Sequence, residues 1–198
     1  MEENKEAGEV VGADSGADLQ QTFMHLMSGL SDAEYMAVWE ELRGSEQTEA
    51  MIEIFEGHAA NNASDPDAQV QLGVVYLQKL QGMTLGVETD NLATKVDATF
   101  DKALALDSEH WDARFIKAQA LSFGPPMFGK QAEAIENLET LHGQQEARTS
   151  QSPKYVQTYL MLGNLYSQQG EMEKAKGAWQ SGATMFPLNA ELTQKVKR

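Results

Sequence analysis

Gly124, Gly129 and Lys130 stand at the Gly-x-x-x-x-Gly-Lys spacing of a phosphate-binding loop, in the segment Gly124-Pro125-Pro126-Met127-Phe128-Gly129-Lys130. Such a loop cradles phosphates with its backbone amides and needs Ser or Thr after the lysine to hold magnesium. Gln131 stands at that place instead, two prolines remove amide donors, and a helical pattern rather than a strand precedes the loop. The segment therefore reads as a stiff, partly apolar connection, with Phe123, Met127 and Phe128 as a candidate contact site. His25, His58, His110 and His142 are scattered without paired ligand spacing, and no HExxH, CxxC or calcium-loop pattern occurs, so no metal or other cofactor is expected. His58 falls on an apolar helical face and reads as a core or boundary residue. No Ser, His and Asp grouping stands out, no catalytic residue is assigned, and the expectation is a protein that is not an enzyme. Asn62-Ala63-Ser64 fits the glycosylation acceptor pattern, a short motif that chance supplies often.

Composition narrows the remaining classes. The chain has 198 residues, 41% of them hydrophobic, and no cysteine, which suits one or two small domains without disulfides. Acidic residues number 30 against 15 basic, for a net charge of −15. Such a surface repels phosphate backbones and anionic lipid heads, so nucleic-acid binding and direct membrane insertion are disfavoured. No apolar run approaches the roughly twenty residues that cross a bilayer. A soluble chain is expected, cytoplasmic or, if an export signal has been removed from it, periplasmic.

The elements follow from apolar spacing. Residues 1–17 combine Glu2, Glu3, Glu6, Glu9 and Asp14 with Gly8, Gly12 and Gly16, a composition that predicts a disordered acidic tail. Three helices are predicted over 18–62, on Leu19, Phe23, Leu26, Met27 and Leu30, then Tyr35, Met36, Trp39 and Leu42, then Met51, Ile54, Phe55, His58 and Ala59. Ser31 with Glu34 predicts a capping box between the first two. The second and third are candidates for a degenerate hairpin joined around Arg43-Gly44-Ser45.

The clearest pattern lies between Tyr159 and Pro187. Tyr159, Leu162, Gly163 and Tyr166 share one face of a helix, Gln169-Gly170 makes the turn, and a second helix offers Met172, Ala175, Trp179 and Gly182 before Pro187 stops it. Gly163 is expected to let the second helix approach closely, with small residues against the glycine and Trp179 filling the space beside it. Leu72, Gly73 and Tyr76 repeat the first-helix pattern and Val96, Phe100 and Ala103 the second, with a connection about eleven residues longer than such units have. The added segment near residues 81–88 is expected to lengthen the first helix and then form a loop. A middle unit carries Trp111, Ala113, Arg114, Lys117, Ala118 and Leu121, then Ala134, Leu138 and Leu141, with Lys117-Ala118 in place of Leu-Gly.

These residues and spacings resemble the tetratricopeptide repeat family. The resemblance implies an all-α fold, a right-handed superhelical array of antiparallel helix hairpins (α-solenoid), over 65–198. Its repeats fall at about 67–108, 109–146 and 155–188, with N-terminal extra helices and a C-terminal capping helix on Leu188, Leu192 and Val196. It implies a non-enzymatic protein-protein interaction scaffold or adaptor that holds a partner peptide or amphipathic helix in a concave groove lined by first helices. By register the groove residues are Asp67, Val70, Val74 and Leu77, then Asp112, Phe115 and Gln119, then Gln157, Leu160 and Asn164. The subclass that clamps an acidic tail places basic and amide side chains here. Val70, Val74, Ile116, Gln157 and Leu160 occupy those places instead, which argues against a carboxylate clamp. The expected partner is a protein or peptide, apolar or amphipathic with basic flanks. Two alternatives stand beside it. The helix from Asp18 to Leu30 could fold back into the groove, or the chain could self-associate into a homo-oligomer through the 123–129 loop.

Overall fold

Ser31, Asp65, His110 and Asn189 each open a helix in the computed structural model, which describes residues 14–43, 45, 47–84, 86–123 and 130–197. Their side chains accept the orphan amides of the first turn: Ser31 from Glu34, Asp65 from Asp67 at 3.0 Å, His110 Nδ1 from Ala113 at 3.2 Å and Asn189 from Leu192 at 2.9 Å. At Ser31 the capping box closes, because Glu34 accepts in return from the Ser31 amide at 3.0 Å. Gly170, at φ +80°, ends the eighth helix in the left-handed conformation, and the next amide, Glu171 N–H, donates back to Tyr166 at 2.9 Å.

All regular structure among the described residues is helical. The elements are α1 (Asp14–Leu26), α2 (Asp32–Leu42), α3 (Gln47–Asn61), α4 (Pro66–Gln81), α5 (Val87–Leu106), α6 (Trp111–Ser122), α7 (Lys130–Glu146), α8 (Val156–Gln168), α9 (Met172–Met185) and α10 (Ala190–Val196). A short 3-10 turn at Pro153–Tyr155 leads into α8. Of the expected acidic tail, residues 1–13 lie outside the described residues, and α1 begins at Asp14.

Neighbouring helices pack as antiparallel hairpins, α4 on α5, α6 on α7 and α8 on α9, and each hairpin leans on the next through α5–α6 and α7–α8. The helices α3 and α10 cover the two ends, α3 against α4 and α10 against α9. Side-chain size explains the spacing inside each pair. Phe100 lies over Gly73, where an added Cβ would come within 2.8 Å of the ring, and the Trp179 indole lies directly over Gly163. The middle hairpin carries the smaller Leu138 at the equivalent place, and there the first helix has room for Ala118; both are wholly buried. This corrects the expectation that Trp179 fills space beside Gly163. The indole itself occupies the place of the missing side chain, and Gly182 instead meets Tyr159 and Leu192.

The added segment after Tyr76 lengthens α4 as expected, and it lengthens α5 as well. The two helices have 16 and 20 residues, against 13 and 14 for α8 and α9. Leu92 is buried, so the added turns of α5 reach the core. At the far end Leu192 is wholly buried against α9, whereas Leu188 lies ahead of α10 and is 97% exposed. The helix α1 sits on α3, where Phe23 meets Phe55 edge to face at 5.0 Å and His58 at 5.4 Å.

The buried residues form two clusters that meet at α6. One runs from Phe23 through Phe55, Tyr76 and Phe100 to Ala113, and the other from Ala118 through Leu138, Tyr159 and Trp179 to Leu192.

Candidate protein-binding surface

Two tyrosines fix how hairpins stack. Tyr76 donates its hydroxyl to Glu56 of α3 at 2.5 Å, with Lys95 of α5 lying 5.5 Å over its ring. Tyr166 repeats the arrangement, donating to Glu139 of α7 with Lys174 of α9 5.2 Å over its ring. The two residues therefore occupy equivalent slots, each tying a first helix to the helix immediately before it in the chain. Burial first, and then the adjoining glutamates, push both phenols well above their ordinary range.

Each first helix is also tied to the segment that follows its hairpin. Asp67 of α4 accepts from His110 Nε2 at 3.0 Å, Asp112 of α6 from Lys154 Nζ at 2.6 Å, and Asn164 of α8 from Lys195 Nζ at 2.7 Å. Three polar residues assigned to the groove thus also hold the following unit. The donors His110, Lys154 and Lys195 were not singled out for this by sequence, because each acts on a residue 31 to 43 positions earlier.

Between these ties stands an aromatic shelf. Trp111 stacks on Phe115 with centroids 4.5 Å apart and planes 10° from parallel, and meets Tyr155 at 5.7 Å. Its indole N–H donates to Thr158 Oγ1 at 3.1 Å, a hydroxyl that also accepts from Gln145 at 2.8 Å, so the ring is fixed from below. The Lys154 ammonium lies 4.8 Å over the same indole.

The remaining expected groove residues divide by burial. Gln119 and Gln157 are exposed, and Val74, Leu77 and Phe115 are half-buried. Val70 and Leu160 are 7% and 6% exposed and belong to the two cores, which leaves little of either for a partner to touch. Phe123 is 82% exposed at the end of α6, while Met127 and Phe128, with the rest of the phosphate-loop-like segment from Gly124 to Gly129, lie outside the described residues. Lys130, the lysine of that segment, is within 3.4 Å of Glu133 and 3.7 Å of Asp97, partners that would compete with a phosphate. Among the described residues no three His, Asp or Glu side chains converge as a metal site would require, and no helix is long and apolar enough to cross a membrane.

The residue that least fits its neighbours is Lys117. It takes the place of Leu72 and Leu162 in the adjacent units, and its side chain is only 8% exposed. Its ammonium lies 2.5 Å from Asp101, 3.0 Å from Asp97 and 3.3 Å from Glu133. Burial alone would pull its pKa down, but the bonds to Asp101 and Asp97 outweigh this and raise it, so the group stays charged.

No family model and no curated protein matches the sequence. Solved structures do match the fold. A thermophilic tetratricopeptide repeat protein from Thermus thermophilus superposes with a TM-score of 0.61 over 92% of this chain and 89% of its own, at 11% identity. A crystal structure of MamA gives 0.55 over 80% of each chain at 18% identity, and MamA from Desulfovibrio magneticus RS-1 gives 0.54 over 93% and 82% at 18%. With hairpins stacked through equivalent tyrosines and size-matched glycine contacts, and with these structural neighbours, the chain has the tetratricopeptide repeat fold.

Proposed function

We propose that this protein is a non-enzymatic adaptor that binds a partner polypeptide on its first-helix face, and that the preferred ligand is an amphipathic helix with basic flanks. The observation that carries the reading is the Trp111–Phe115 shelf, held by Thr158, with the half-buried Val74 and Leu77 on the first helix of the preceding hairpin. A fixed aromatic pair loses little side-chain freedom on binding, which favours it as an anchor. The net charge of −15 favours a cationic rim on the ligand.

The test uses Gln119→Lys and Gln157→Lys, substitutions at exposed positions of the face that leave both cores untouched. With a basic amphipathic helical peptide as titrant, each should weaken binding by roughly tenfold, about 1.4 kcal/mol. Unchanged affinity in both variants would exclude this face as the seat. A second reading, self-association, is favoured by the 82% exposure of Phe123. A sedimentation mass that stays monomeric across concentration removes it.

A further inference from the structure

We propose that the joint between α5 and α6 is a hinge, at which the array parts into two cooperative bodies, α1–α5 and α6–α10. In a stacked array each interface contributes its own nearest-neighbour coupling, so cooperativity breaks where that coupling is weakest. Three independent observations place the weak point here.

The two apolar clusters divide within α6, where Ala113 and Ile116 pack with the first and Ala118 and Leu121 with the second. The flanking joints carry the tyrosine ties, Tyr76 to Glu56 and Tyr166 to Glu139, whereas Leu121 stands in the corresponding position of α6 and has no hydroxyl to donate. Where the neighbouring units place leucine, the joint has an ionic contact: Lys117 faces Asp97 and Asp101 of α5, with Glu133 of α7 beside it, and Lys130 adds a second contact to Asp97 at 3.7 Å. Arg114 adds a polar contact to the α5–α6 connection, donating to the Ser108 carbonyl at 3.0 Å.

The energetic consequence follows from desolvation. Leucine at this place would contribute apolar burial outright, whereas a buried ammonium recovers from its carboxylates little more than it lost from water. The carboxylate side chains of Asp97, Asp101 and Glu133 are 31%, 59% and 37% exposed, so salt reaches them and screens the contact. The hinge would let the half of the face carrying Val74 and Leu77 swing relative to the half carrying Phe115 and Gln157. The structural claim stands whether or not that face binds a partner.

The chain has no cysteine, so label pairs can be placed freely in the full-length protein. One pair at Glu53 and Lys176 spans the joint, and a second at Glu53 and Lys102 lies within the first body. Measured by pulsed electron resonance from low to high salt, the spanning distance should broaden and shift while the internal one holds. Lys117→Leu, which restores the residue of the neighbouring units, should narrow the spanning distribution and remove its salt response. Asp101→Asn should broaden it already at low salt, and serves if Lys117→Leu does not fold. A spanning distribution as narrow as the internal one at every salt concentration, in both the native chain and Asp101→Asn, would overturn the hinge.

Discussion

A single methyl group tests the packing at Gly163. The Trp179 indole occupies the space a Cβ would need, so Gly163→Ala should force the ring aside and cost about 1–3 kcal/mol in urea unfolding. Gly177, on α9, has nothing within 4 Å of its own added Cβ and no unusual backbone angle. Gly177→Ala should therefore stabilise by about 0.5–1 kcal/mol through helix propensity and a less flexible unfolded chain. The opposite signs matter more than the sizes, because a glycine kept only for flexibility would respond as Gly177 does. Much of this was legible beforehand: Tyr159, Leu162, Gly163, Tyr166 and Trp179 announce a close-packed hairpin by spacing alone. What lies over the glycine was not, since spacing gives the face of a residue and not the reach of its ring. Lys117 was legible only as a departure from the pattern. Its carboxylate partners are on two other helices, and sequence among many acidic residues does not say which ones converge.

At the level of elements, the caps and turns were readable because each is decided within a few residues, as Ser31 with Glu34 and Gly170 show. The lengthened α5 was not, since glycines around the insertion suggested loop, while Leu92 and the following apolar residues supply a buried stripe that outweighs local propensity. The last helix gives the sharpest test at this scale. It has only 7 residues, too few to be stable alone, so its order depends on Leu192 reaching Gly182 and Tyr159. Leu192→Ala should cost about 2–5 kcal/mol in global stability and release α10 first, seen as loss of amide protection over 190–196. Leu188→Ala, at a 97% exposed position, should leave the unfolding midpoint where it is.

For the whole molecule, two kinds of tie set the shape: tyrosine to glutamate between a first helix and the helix before it, and His110, Lys154 and Lys195 from the segment after each hairpin back to its first helix. The array was readable from its period, but the apportioning of the first-helix face was not. Val70 and Leu160 go to the cores, Asp67, Asp112 and Asn164 bond to the next unit, and Trp111 joins Phe115 in a shelf the register alone did not assign. The proposed ligand of this face is a cationic amphipathic helix. Its binding there is tested most directly by a residue-resolved amide shift map of the full chain titrated with such a peptide, beside a sequence-scrambled peptide of equal charge. Saturating shifts are expected at Val74, Phe115, Gln119, Gln157 and neighbouring first-helix positions with the amphipathic peptide only. Shifts confined to the outer faces of α5, α7 and α9, or equal responses to both peptides, would contradict it.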